Sequence, residues 1–566
     1  MQRIVVFLIV LILSAEVVWG APILTDPGLS VRQVVAGLSA PTTMAFIGVN
    51  DFLVLQKNDG RVRRVTAGVL QSAAVLDLNV DGQSERGLLG IALHPDFPVS
   101  AFVYLYLSET GSDDGSGNGT ANRVYRYSWN GSTLAAPGTL IAELPISPGP
   151  NHDGGVIAFG PDGKLYIVIG DLNRNGQLQN NATGAPDDSS VILRLNDDGT
   201  VPNDNPFFVQ GGNLAKYFAY GIRNSFGMAF DPVTGKLWNT ENGPNNYDEV
   251  NLVEAGFNSG WRKLMGPDIR NANSVADLFA VSGAHYADPE FSWLAPVGVT
   301  AIAFPNSQLF SADYQNSALV GDVNNGNLYR LPLNQSRDGF SLSGGLADLV
   351  ADSVAEREFL RVGVEFSGIT DLKLGPDGKV YVVSIGDGAV YVIEPGLSLG
   401  SAMPADGEVG VVYNAGLAVA GGTPPYVATL VKGTLPLGLA LAGANITGTP
   451  SQARQSVFTL KFDDAAGASA SRSYRLKILT AVAIATIRLP MGRVGRTFSA
   501  ALIARGGKKA YSWSLVSGVL PAGLALNPVT GRIAGAPLAA ASVNLTFRVT
   551  DILGGAAQKE FVLTVK

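Results

Sequence analysis

The chain has 566 residues, a net charge of −7 and a charged fraction of only 15%, which argues against nucleic acid and anionic membrane surfaces as main partners. It contains no cysteine, so disulfides, zinc–thiolate sites, cysteine nucleophiles and covalently attached haem are excluded. The abundance of glycine (68) and proline (31) suits many short strands joined by tight turns, and the length implies more than one domain.

Residues 1–20 carry one arginine and an apolar run from Ile4 to Leu13, ahead of the small residues Gly20 and Ala21. This predicts a secretory signal peptide cleaved near Ala21, hence an exported protein, periplasmic, secreted or on the cell surface. No later stretch is apolar for long enough to span a bilayer. One pattern then recurs: an apolar strand, a Pro-Asp-Gly kind of turn, and a second apolar strand. Its strong copies are 156-VIAFGPDGKLYIVIGD-171, 228-MAFDPVTGKLWNTEN-242 and 372-LKLGPDGKVYVVSIGD-387; weaker ones begin near residues 43, 91 and 301. Six such units, several followed by a further short strand such as 191-VILRLN-196, predict an all-β fold: a six-bladed β-propeller over 28–396. Beyond it, 433-GTLPLGLAL-441 and 518-GVLPAGLAL-526 repeat about 85 residues apart. That spacing predicts two immunoglobulin-like β-sandwiches, 401–480 and 481–566, acting as spacers or as adhesion modules that touch a cell surface or carbohydrate.

Hairpin geometry selects the working end of the propeller. The residue before the first strand and the residue after the second lie at the same end. His152, one of three histidines, is thereby predicted beside Asp171, and a carboxylate next to an imidazole fixes its tautomer and raises its basicity. The Gly154-Gly155 pair after it is expected to leave backbone open to a ligand. By the same logic Arg223, Asn224, Glu241, Asn242 and Asp248 gather on that rim, and 84-SERGLLG-90 adds Glu85 and Arg86. His94 is expected in a packed corner, and His285 is assigned no role.

The stretches 87-GLLGIALHPDF-97, 151-NHDGG-155, 220-YGIRN-224 and 241-ENGPNNYDEVN-251, with 256-GFNSGW-261, resemble the glucose/sorbosone dehydrogenase family. Its members are six-bladed propellers that oxidise sugars with pyrroloquinoline quinone (PQQ) and calcium. The resemblance spans residues 30 to 396. It implies that His152 removes a proton from the sugar hydroxyl as hydride passes to the quinone, that Asp171 orients His152, and that Arg223 stabilises the reduced quinone. It further implies cofactor contacts from Glu85, Asn224, Asn242 and Asp248, and a calcium ion on the carbonyls of Gly243 and Pro244. Three departures remove expected cofactor contacts: Glu85 replaces a glutamine, Asn324 replaces a lysine, and Gly368 and Thr370 stand where an arginine pair is expected. Arg86 and Arg361 are candidates to restore that charge.

Three functions stay open on the residues alone. The first is a PQQ- and calcium-dependent dehydrogenase of aldoses or related polyols and aldehydes, which must pass its electrons to a separate acceptor. The second is a calcium-dependent lactonase-type hydrolase, with Glu85, Asn151, Asn224 and Glu241 around the ion. The third is a non-catalytic carbohydrate- or protein-binding propeller. The His152–Asp171 pair and the Gly243-Pro244 element favour the first; the missing cations favour the others.

Overall fold

The computed structural model describes residues 21–111, 119–147 and 149–566; the expected signal peptide lies outside them. The chain divides into two units, Met1–Pro395 and Gly396–Lys566. Strands dominate both, and among the described residues no helix is long and apolar enough to cross a membrane.

The first unit is built from six sheets. Their innermost strands are Pro41–Gly48, Leu88–Leu93, Ile157–Phe159, Gly227–Phe230, Val299–Ala303 and Ile369–Leu374. Each packs on the next and the sixth packs on the first, closing a ring of six blades. The ring is locked by chain exchange: Leu29–Val35 pairs antiparallel with Ala389–Pro395 as the outer strand of the last blade. The propeller begins earlier than residue 28, because Ile23–Leu24 joins the outer edge of the fifth sheet.

Blades stack face to face, so their middle strands are covered on both sides. This is why Leu165–Ile169 (LYIVI) and Val380–Ser384 (VYVVS) read as apolar runs rather than alternating ones, and every residue in them is buried. Aromatic edges join neighbouring blades: Tyr166 meets Phe230 at 5.0 Å and Phe46 meets Tyr381 at 4.8 Å between ring centroids, contacts worth about 0.5–1.5 kcal/mol beyond their buried area. The Pro-Asp-Gly turns are chemically alike. In each, the glycine N–H donates back to the glycine before the proline, and the aspartate accepts from a tyrosine hydroxyl four residues on (Tyr166 to Asp162, Tyr381 to Asp377).

The second unit holds two β-sandwiches. In the first, Gln455–Asp463 alternates inward and outward side chains, burying Phe458, Leu460 and Phe462 against Ile446 and Tyr474. The second repeats this with Leu545, Phe547 and Val549 over Ile533 and Trp513.

Candidate functional site at one end of the propeller

Three loops converge where the inner strands begin. His152 precedes Ile157–Phe159, Asp171 follows Leu165–Ile169, and Arg223 precedes Gly227–Phe230. Gly170 allows them to meet. A Cβ there would lie 2.5 Å from the carbonyl oxygen of His152 and 2.6 Å from that of Arg223, while the Asp171 N–H donates to that Arg223 oxygen at 2.8 Å.

His152 adopts the left-handed backbone region, φ 64°, uncommon for a residue with a Cβ. Its N–H donates to Glu85 Oε2 at 2.5 Å, which pins that conformation. Its ring places Nδ1 2.6 Å from Asp171 Oδ1. Asp171 is fully buried. Burial pushes its carboxyl up, but hydrogen bonds from His152, Trp261 Nε1 and the Asn173 N–H outweigh this and hold it below its ordinary value. An ionised carboxylate has no proton to donate, so in the neutral ring Nδ1 carries the hydrogen and Nε2 the lone pair.

The glycine pair after His152 is needed for close packing, and Gly154 also lines a cavity of the propeller. A Cβ on Gly154 would meet the Val168 carbonyl oxygen at 2.7 Å, and one on Gly155 would meet Leu89 Cβ at 2.5 Å. These glycines let the loop press onto its own blade and the one before it.

Arg223 lies over the Trp261 ring, 5.2 Å from its centroid. Its N–H donates to Glu241 Oε1 at 2.6 Å and its Nη1 to the Asn242 carbonyl at 2.7 Å. Burial pulls its guanidinium down from its ordinary value more than the surrounding carboxylates of Asp171, Glu241, Glu85 and Asp248 raise it. Asn224 donates from Nδ2 to Glu85 Oε2 at 3.0 Å. Among the described residues the Nε of Arg223 and the Oδ1 of Asn224 are buried without a hydrogen-bond partner. Asn242 donates to the Val299 carbonyl at 2.8 Å.

Asp248, expected to touch a cofactor, is turned to backbone instead. It accepts from Gly243 N–H at 2.9 Å, Val297 N–H at 2.8 Å, Gly298 N–H at 2.6 Å and Val299 N–H at 3.2 Å. It thereby shapes the loop that presents the Gly243 and Pro244 carbonyls, neither of which accepts a hydrogen bond among the described residues.

Glu241 is fully buried; its second oxygen accepts from Ser259 Oγ at 2.7 Å. It faces Glu249 across the paired strands Leu237–Glu241 and Asp248–Val253. Burial pushes Glu241 up to about 7, and burial together with Glu241 pushes Glu249 well above the carboxylate range. The set Glu85, Asn151, Asn224 and Glu241 is engaged by protein partners: Glu85 and Asn224 bind each other, Asn151 accepts from Ser84 Oγ at 2.9 Å, and Glu241 accepts from the Arg223 N–H and from Ser259.

Neither candidate replacement cation reaches the site. Arg86 is buried between Asp81 and Asp153, at 3.0 and 3.4 Å, and Arg361 begins the outer strand Arg361–Val364 beside Glu358. Thr370 donates to the Pro41 carbonyl at 3.1 Å. It lines an axial cavity of about 250 Å³ that has Lys57, Ser84 and Glu85 among its walls. His94 packs against Phe102 and Phe159, while His285 is exposed near Glu254.

Two residues of the site escaped sequence reasoning. Trp261 Nε1 donates to Asp171 Oδ2 at 2.6 Å, and the neighbouring Arg262 brings Nε to 3.7 Å from the same oxygen. The 256-GFNSGW-261 stretch was the one available signal, and nothing in its spacing ties it to Asp171.

The family model described as "Glucose / Sorbosone dehydrogenase" matches residues 38–392, and that described as "Putative Ig domain" matches 401–479 and 481–566. The chain is 30% identical over 385 residues to aldose sugar dehydrogenase YliI of Escherichia coli, covering 68% of this chain and 96% of that protein. It is 33% identical over 278 residues to quinoprotein glucose dehydrogenase B of Acinetobacter calcoaceticus, covering 45% of this chain and 57% of that one. Its fold is similar to the apo crystal structure of the soluble aldose sugar dehydrogenase of Escherichia coli, with a TM-score of 0.51 and 27% identity over 65% of this chain and 99% of that one.

Proposed function

The chain belongs to the glucose/sorbosone dehydrogenase family, and on that premise we propose that it is an exported dehydrogenase of aldoses or related polyols and aldehydes, dependent on PQQ and calcium. The observation that carries this reading is the His152–Asp171 contact, with Arg223 beside it.

His152 Nε2 takes the proton of the sugar hydroxyl. Asp171 holds the ring in the tautomer that leaves Nε2 free and stabilises the positive charge that the ring then gains. PQQ, when bound, supplies the two-electron acceptor for the hydride, and calcium polarises it. The residues fit such a group. Arg223 Nε and Asn224 Oδ1 are buried donors and acceptors without partners, a costly state that a polar ligand relieves. The unpaired carbonyls of Gly243 and Pro244 are hard oxygen donors suited to calcium. Asn242 and Glu85 hold this cradle by binding Val299, His152 and Asn224. The electrons then leave to a separate acceptor, and the C-terminal domains serve as spacers or adhesion modules.

The test is a titration of the calcium-loaded protein with PQQ, followed by dye reduction with aldoses, alongside His152→Ala. Saturable binding retained by the variant, with turnover reduced about 10²–10⁴-fold, supports the reading. Absence of quinone binding at micromolar concentration rejects it.

A further inference from the structure

The cations expected opposite Arg223 are absent, yet the site gains one that the family resemblance did not supply. Arg262 leaves Trp261 directly and its guanidinium lies over that indole, 5.5 Å from the ring centroid, as that of Arg223 does at 5.2 Å. Its side chain is 37% exposed. Among the described residues it donates no side-chain hydrogen bond, and its nearest acid is Asp171 at 3.7 Å. That oxygen accepts from Trp261 Nε1 at 2.6 Å, and Arg262 makes a charge contact with Asp171 without a hydrogen bond to it. Arg223 differs: it sits in the field of four acids and gives one N–H to the Asn242 carbonyl. Between these two arginines, the one whose side-chain donors are unused is Arg262.

We propose that Arg262, together with Arg223, both of which lie against the Trp261 ring, forms a carboxylate-binding pair next to His152 and Asp171. Two planar guanidiniums present forked donors, and a carboxylate is the small planar anion whose two oxygens match such a fork. Two sources supply that chemistry within the proposed function: a carboxylate of the quinone, or the carboxylate of a sugar acid bound as substrate. The first would return the charge lost at Asn324, Gly368 and Thr370 from the opposite side. The second would make uronic acids better substrates than neutral aldoses. The inference rests on the proposed function for the identity of these ligands, but not for the existence of the anion site.

The experiment follows tryptophan fluorescence of the calcium-loaded protein during separate titrations with PQQ, glucuronate and glucose. Wild type is compared with Arg262→Gln and Arg262→Lys, and thermal unfolding verifies that each variant is folded. Loss of a charge-assisted hydrogen bond weakens a carboxylate ligand about tenfold or more, with partial recovery in Arg262→Lys and no change for glucose. A shift in the PQQ titration identifies the cofactor as the source; a shift confined to glucuronate identifies the substrate. Unchanged affinities for both anions in a folded Arg262→Gln protein overturn the proposal, as does a wild type that binds neither. A wild type that binds glucuronate through Arg262 but not PQQ keeps the anion site and rejects the quinone.

Discussion

The indole Nε1 of Trp261 donates to Asp171 Oδ2 at 2.6 Å across 90 residues of chain. Asp171 is thereby held from both sides, by His152 on one oxygen and Trp261 on the other. Trp261→Phe keeps the ring volume and removes only this donor. A loss of one hydrogen bond to a charged group, about 1.5–3 kcal/mol, is expected to appear as a kcat reduced roughly tenfold or more. An unchanged kcat in the folded variant would sink the positioning role.

Asp171→Asn keeps the shape but permits the amide to donate to Nδ1, favouring the tautomer with the proton on Nε2. Turnover is expected to fall about 10³–10⁴-fold, as when a triad aspartate becomes asparagine, while PQQ affinity measured by fluorescence stays within a few-fold. Because Asp171 is held below its ordinary value, its contribution to stability in the wild type is present above the unfolded carboxylate range and is lost as pH falls through the folded value. The variant's stability is therefore expected to change less on acidification, measured as Tm against pH.

Gly170→Ala inserts a methyl group between two carbonyl oxygens 2.5 and 2.6 Å away, both belonging to backbone. Backbone cannot yield as a flexible side chain does, so the loops of His152 and Arg223 must separate. A destabilisation of about 1–3 kcal/mol in urea unfolding is expected, together with loss of activity. A variant as active and as stable as wild type would show that the loops have slack.

The Glu241–Glu249 pair sets a pH dependence of stability. Glu241 is held at about 7 against an ordinary value of 4.5, so between these the folded chain keeps a proton that the unfolded chain has lost. The contribution of Glu241 is accordingly full below about pH 4.5 and lost as pH rises through about 7, while Glu249, held higher still by burial, keeps stability falling above that. The double variant Glu241→Gln/Glu249→Gln removes both titrations and is expected to flatten Tm between about pH 5 and 7.5. A wild-type slope retained in the variant would place the proton elsewhere.

The meeting of His152 with Asp171 was legible because both flank one short hairpin, where strand alternation and the turn leave a single way for the ends to lie. The same local rule brought Arg223, Asn224, Asn242 and Glu241 to one end. It failed on direction: Asp248 turns to four backbone N–H groups and Glu241 to the Arg223 N–H and Ser259, because the packing of adjacent loops, not strand period, decides where each carboxylate finds donors. The glycine pair was legible only in part, since a close approach by Leu89 or Val168 leaves the same mark in a sequence as a close approach by a ligand.

The sequence by itself determined the repeat, hence the closed ring of six blades, its two following sandwiches and the end at which polar residues collect. Each follows from local periodicity, burial on both blade faces and turn chemistry that every unit repeats. Only the tertiary structure decided that Trp261 and Arg262 complete the site and that Arg86 and Arg361 do not. Those outcomes depend on irregular loops joining different blades, whose paths are set by long-range hydrogen bonds such as that from the Arg262 N–H to the Gln179 carbonyl. No propensity of a short segment encodes such a partner.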